Sequence, residues 1–320
     1  MKKNLTIKEH EGYCQQILKK VKSTIKAFVM DQDGTIKGGD DKKYQEPDVV
    51  SKLLQKIIQK SKYPIIITAS GVTALKSLED LVKFYQNCKI EIPIFVSIGN
   101  GNALYKFDKL GKTEIYSNKL STHEIKNIID LCKKIYSSLN IKEEEIQKKG
   151  IENFKRFINM NWTGYIPKDY FDIFKEYDGK CFCEEVKLTV VFPSWNEEKQ
   201  RWLVKNIQNS IDSKFGKNKF LVSRGDSVYM HLTKTFSIDP KLYTLQYIMK
   251  DLRLEENEVA VFGDLPFDND KGILIDSKLP YTFTNIFIEK DNLEDPPFIL
   301  PGSSESQVGS VHKAIDYLLS

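Results

Sequence analysis

Arginine is scarce in this chain: of 48 basic residues only Arg156, Arg201, Arg224 and Arg253 carry a guanidinium. Reading bases or a phosphate backbone favours that planar fork, and no concentrated basic stripe with interleaved aromatics takes its place. A nucleic-acid partner is therefore not expected. The 48 basic side chains nearly balance 44 acidic ones, so the Lys surplus reads as solvated surface with a mild attraction for anionic substrates. Long apolar runs are missing too. No stretch approaches the roughly 18–20 residues that span a bilayer, which argues against a membrane partner. The segment Met1–Lys26 is basic but lacks the continuous apolar core of a secretory signal. Ile17, Leu18, Val21 and Ile25 fall instead at helical spacing. Five Cys show no zinc spacing, the Cys181-x-Cys183 pair is isolated, and an odd number argues against a disulfide framework. A cytoplasmic location is expected. No repeat or low-complexity segment is present. With 320 residues, 41% hydrophobic and 29% charged, the chain has the composition of a soluble globular protein and the length for two domains.

The most informative stretch is Ala27–Phe28–Val29–Met30 followed by Asp31-Gln32-Asp33-Gly34-Thr35. An apolar run of strand length ends in two carboxylates spaced i, i+2, which an extended backbone turns to the same side. A hard cation such as Mg²⁺ fits between such carboxylates and a phosphate. Gly34 allows the chain to turn away sharply. The competing reading is a calcium loop with its glycine at position 6, but that register puts Val29 at position 1, where it cannot ligate. The pattern points to phosphoryl chemistry with an aspartate nucleophile.

Short apolar strands alternate with helical faces through the first third. Val49, Val50, Leu53, Leu54, Ile57 and Ile58 make one helical face, and Ile65–Ile67 forms a strand ending in Thr68-Ala69-Ser70-Gly71. Leu75, Leu78, Leu81, Val82 and Tyr85 make a second helical face, before a strand over Ile92–Ile98. This is the pattern of a doubly wound parallel sheet covered on both sides. From Asn102 to Phe236 the chain reads as an inserted α+β module. Its expected strands cover Thr113–Tyr116, Phe154–Trp162, Val186–Phe192 and Phe220–Leu232, the last with a turn at Arg224–Gly225–Asp226, and its helices Ser121–Ser138 and Glu197–Phe215. Alternation resumes with a helix opened by Asp239-Pro240, strands at Val259–Phe262 and Tyr281–Phe287, and a terminal helix near Val311–Leu319. The expected domains are thus a core of 1–101 with 237–320 and an insert of 102–236.

Four motifs fall at strand ends of such a sheet: Asp31/Asp33, Thr68/Ser70, Lys241 in the first turn of its helix, and Gly263-Asp264 through Asp268-Asn269-Asp270. Alone, Ser70 reads as a helix cap, Lys241 as solvated, and Asp268 or Asp270 as a cap of the following helix. Together and in this order they resemble the haloacid dehalogenase-like (HAD) phosphohydrolase superfamily. The insert between the second and third motifs is similar to a C2-type cap, as in the Cof-type and sucrose-phosphate phosphatase-like branch, and so is Asn100-Gly101-Asn102-Ala103 at its entry. Val72, Leu242 and Phe267 depart from that branch's common residues.

The resemblance implies a Rossmann-like core and a Mg²⁺-dependent phosphatase acting on a small phosphorylated substrate, a sugar phosphate or similar metabolite, through an aspartyl-phosphate. It makes Asp31 the nucleophile and Asp33 the general acid and base. Asp31, the Asp33 carbonyl, Asp264 and Asp268 are the expected metal site, and Ser70 and Lys241 hold phosphoryl oxygens. Thr68 and Lys234 are the alternatives to those two. Gly34, Thr35, Gly71, Lys187 and Arg224 are candidate substrate contacts, with Arg156, Asn161, Trp162 and His231 also placed to face the leaving group. A phosphomutase using the same aspartates and a non-catalytic binding module are the competing classes.

Overall fold

The computed structural model describes residues 6–39, 41–46, 48–76, 78, 91–158, 166–177, 179–225, 227–286 and 297–320. In chain order its strands are β1 (Ala27–Met30), β2 (Tyr63–Ile67), β3 (Ile94–Ile98), β4 (Ala103–Asp108), β5 (Gly111–Ser117), β6 (Cys181–Glu184), β7 (Lys187–Val191), β8 (Phe220–Arg224), β9 (Tyr229–Lys234), β10 (Val259–Gly263), β11 (Thr282–Thr284) and β12 (Phe298–Ile299). The chain divides into two compact units, Met1–Tyr116 with Lys241–Ser320, and Ser117–Pro240.

The first unit is built on one sheet in the order β12-β11-β10-β1-β2-β3-β4-β5. Strands β12 to β3 run parallel. All four residues of β1 are buried, as a strand covered on both faces requires. The helix Val49–Gln59 buries the six apolar residues that its periodicity marked out. Each such burial is worth about 1.5–3 kcal/mol. The chain leaves β1 for β2 and β3 on one side and returns to β10 on the other. The reversal of strand order between β1 and β10 is where α/β sheets gather ligands, at the carboxyl ends. Met30 is registered on Phe262, and the Asp31 amide donates to the Phe262 carbonyl at 2.9 Å.

The sheet continues past the expected domain boundary. β4 pairs antiparallel with β3, and β5 adds the last strand, so the first boundary falls at 116/117 rather than 101/102. The second falls at 240/241 rather than 236/237. Thr113–Tyr116 is accordingly part of the large sheet and not of the insert.

The second unit holds an antiparallel sheet in the order β6-β7-β9-β8, with helices Thr122–Ser138, Lys148–Ile158, Lys168–Glu176 and Glu197–Phe215. Phe154 lies on a helix, not on the expected strand, because Ile151, Phe154 and Ile158 recur at helical spacing and not in alternation. Asn161 and Trp162 lie outside the described residues, as do Leu81, Val82 and Tyr85. Among the described residues, Cys14, Cys132, Cys181 and Cys183 form no disulfide, and no helix is long and apolar enough to cross a membrane.

Candidate active site

Asp31 leaves the end of β1 and is almost fully buried. Pro240 opens the helix Pro240–Leu252, its fixed φ suited to the first turn, and sets Lys241 next in line. The Lys241 ammonium is 1% exposed and donates to Asp31 Oδ1 at 2.8 Å and to Asp270 Oδ1 at 2.6 Å. Asp264 follows β10, and Thr35 Oγ1 donates to its Oδ1 at 3.2 Å. Asp270 closes the turn after β10: its Oδ2 accepts the backbone amides of Asp264 and Leu265, both at 3.0 Å. Gly34 turns at φ +85°, and a Cβ there would overlap the Asp264 carboxylate. A Cβ at Gly263 would stand 2.7 Å from Asp270 Oδ2. From the end of β11, Asn285 Nδ2 ties down the Gly34 carbonyl at 2.8 Å.

Among the described residues, Asp31, Asp264 and Asp270 are the one group of acidic side chains with ligand atoms all within 4.8 Å of one another. Three carboxylates face one ammonium. Burial pushes the Asp31 carboxyl up to about 7; Asp270's charge adds to this and Lys241 opposes it. Burial, then Asp270 and Asp31, holds Asp264 well above the usual carboxylate range. Burial alone would lower the Lys241 ammonium, but Asp270 and Asp31 outweigh it and hold it above its ordinary value. Such an excess of buried negative charge suits a hard divalent cation with oxygen ligands, whose own charge reverses these shifts. Asp270 already spends both oxygens on Lys241 and the two amides. Asp31 and Asp264 are therefore the more open donors.

A family model for haloacid dehalogenase-like hydrolases matches residues 28–285. The chain belongs to that family. No curated protein sequence matches it. A Plasmodium vivax protein assigned to the HAD/COF-like hydrolases is 18% identical over 94% of this chain and 98% of its own, with a TM-score of 0.57. A haloacid dehalogenase-like hydrolase from B. subtilis is 13% identical over 91% of this chain and 99% of its own, with a TM-score of 0.55. The N-terminally truncated, IMP-bound IMP-nucleotidase of Plasmodium falciparum is 12% identical over 98% of this chain and 80% of its own, with a TM-score of 0.56. At these identities the likenesses show a shared fold.

Within this HAD-like hydrolase the expected residues are only partly brought together. Asp31, Thr35, Lys241 and Asp264 converge. Asp268, expected as a metal ligand, stays outside the group of three carboxylates, and Asp270 is the residue that joins it. The amides of Asp268 and Asp270 both donate to the Leu265 carbonyl, at 3.1 and 3.0 Å, and it is the Asp270 side chain that reaches back to the Asp264 and Leu265 amides. The signal lay in Asn269-Asp270 followed at helical spacing by buried Ile273 and Leu274. Asp33 is exposed and its side chain is not in that group; the Ser70 hydroxyl donates to it. Thr68 Oγ1 accepts the Ser70 amide at 3.0 Å, so this hydroxyl closes its own turn. Gly71 is buried beside them. Lys234 pairs with Glu124 in the second unit and is no alternative to Lys241.

The second unit also holds Lys187, buried on β7, and His231, whose Nδ1 lies 3.2 Å from Thr189 Oγ1. Arg224 is committed to its own unit: its Nε donates to Gln200 Oε1 at 3.2 Å and it pairs with Glu197. Arg156 is exposed on the helix Lys148–Ile158. Asn285 is a site residue that the sequence reading did not name, and Asp270 is one that it read only as a cap of the following helix.

Proposed function

We propose that the chain is a Mg²⁺-dependent phosphatase that hydrolyses a phosphate monoester of a sugar or similar small metabolite. The observation that supports this best is the buried carboxylate of Asp31 held by Lys241 within reach of Asp264 and Asp270, at the strand-order reversal of a HAD-like core. Asp31 and Asp264 would hold the cation, with Asp270 fixing their turn. When bound, it supplies positive charge that keeps Asp31 ionised and offsets the charge of the phosphoryl group.

Asp31 attacks phosphorus in line. The phosphorus–oxygen bond to the leaving group breaks and an aspartyl-phosphate forms. Asp33 gives its proton to the departing alkoxide. It then takes one from the water that attacks the phosphoryl group, which releases phosphate and restores Asp31. Lys241 and Ser70 hold the equatorial oxygens, a contribution of charge and position on which phosphoryl transfer mostly depends. Thr35 and Gly34 keep Asp264 and the turn in place, and Gly71 offers backbone to the phosphoryl group. The second unit serves as a C2-type cap that selects the ester, with Lys187 the cap residue best suited to a polar leaving group. Arg224, already paired, is set aside from that role.

The test is Asp31→Asn, which preserves shape while removing the nucleophile. Turnover of para-nitrophenyl phosphate with Mg²⁺ should fall by at least about 10³-fold. Turnover within tenfold of the unmodified protein overturns the proposal.

A further inference from the structure

Gly99, Asn100 and Gly101 link β3 to β4 with three successive left-handed residues, at φ +59°, +57° and +94°. Asn is among the few side chains that tolerate this region, and glycine adopts it without strain. The turn is held from two sides. On one side the Gly99 amide donates to the Ser70 carbonyl at 2.9 Å, and the Asn100 amide donates to the Thr68 carbonyl at 3.0 Å. On the other side the Gly101 carbonyl lies 3.1 Å from both Tyr116 OH and Thr244 Oγ1. These two hydroxyls are 2.5 Å apart. Thr244 Oγ1 also lies 3.5 Å from Ser97 Oγ, so the two hydroxyls and the carbonyl belong to one small network. The Asn102 side chain closes the turn onto the Gly99 carbonyl at 3.1 Å.

What the turn joins gives it meaning. Ser70 carries the hydroxyl on Asp33. Thr244 is three residues after Lys241 on the helix Pro240–Leu252, so the two share a face, and both are fully buried. Tyr116 packs edge-on against Tyr243 and Tyr247 of that helix, with ring centroids 5.7 and 5.8 Å away. Burial holds the Tyr116 phenol above its usual range, so it remains a donor. We propose that the Gly99–Asn100–Gly101 turn, clamped by Tyr116 and Thr244, is a positioning device that keeps the Ser70 loop and the Lys241 helix in one register. The turn, Tyr116 and Thr244 act only through Ser70 and Lys241. The proposal rests on the reading of Ser70 and Lys241 as phosphoryl-binding groups.

The test uses the full chain with Thr244→Val, which keeps the shape without the hydroxyl, Tyr116→Phe, and Thr244→Ser as the rescuing variant. Amide hydrogen exchange at Gly99 and Asn100 reads the coupling without reference to catalysis. In Thr244→Val both amides should exchange about tenfold faster, while those of β1 keep their protection. On para-nitrophenyl phosphate kcat should fall about tenfold with KM changed less than twofold, because the lost register matters most to the transition state. Thr244→Ser should restore both readouts. Tyr116→Phe with Thr244→Val should be no worse than the poorer single variant, since they share one carbonyl. Unchanged exchange at Gly99 and Asn100 overturns the proposal, and so does faster exchange with unchanged kcat. Absence of any phosphatase activity in the unmodified chain would sink the functional reading instead, and it would remove what the turn is proposed to position.

Discussion

Asp31→Asn should stabilise the metal-free protein at alkaline pH even though it removes the proposed nucleophile. Burial, aided by Asp270 and opposed by Lys241, raises the Asp31 carboxyl from 3.8 to about 7. In the unfolded chain an aspartate titrates near 3.9. Between those values the native state holds a proton that the unfolded state has lost. Stability therefore falls as pH rises from about 4 to about 7 and stays low above that. Some three pH units at about 1.36 kcal/mol each set an upper figure of about 4 kcal/mol. Asn stands in for the protonated carboxyl, and the Lys241 hydrogen bond that favours the ionised form is already contained in the raised value. The net gain near pH 8 is then up to about 4 kcal/mol. At roughly 2–4 °C per kcal/mol, this places the melting temperature up to some 8–16 °C higher. Calorimetry in chelator from pH 4 to 8 reads this directly, with the two proteins converging at the acid end. Asp264, also raised by burial first, adds a fall of the same sign in both proteins. A variant that melts below the unmodified protein at pH 8, or that keeps its full pH slope, refutes the electrostatic account.

Two further substitutions separate the carboxylates by role. Asp33→Asn should slow hydrolysis of an alkyl phosphate by at least about tenfold more than that of para-nitrophenyl phosphate, since a good leaving group needs no acid; parallel kinetics on both esters decide it, and equal losses would make Asp33 structural. Asp270→Asn should cost about 10²-fold in kcat/KM and weaken the response to Mg²⁺, because Asp270 braces Lys241 and the amides of Asp264 and Leu265. Asp268→Asn should stay within about tenfold of the unmodified protein; steady-state kinetics over a Mg²⁺ titration compare the two, and a reversed order would return Asp268 to the site.

The buried strand before Asp31 was legible because a parallel strand covered on both faces must be apolar throughout. The helix Val49–Gln59 was legible from its stripe of apolar side chains, and Pro240 marked the start of the helix that carries Lys241. Phe154 was misread because a few apolar residues fit period 2 and period 3.6 nearly alike over so short a run. The boundary near Asn102 was misplaced for another reason. A break in strand–helix alternation looks like the end of a sheet, whereas β4 and β5 extend it antiparallel through a turn that needs no crossover helix.

The sequence by itself determined the alternating core, the order of its motifs and the chemistry of an aspartate beside a lysine, because periodicity and residue type act locally. Only the tertiary structure decided that Asp270 and not Asp268 joins Asp31 and Asp264, and that Lys241 stands between Asp31 and Asp270. It also decided that Tyr116 and Thr244 meet on the Gly101 carbonyl. Those choices depend on how a turn swings a side chain back over backbone amides and on contacts between residues more than a hundred positions apart. Neither leaves a spacing in the chain.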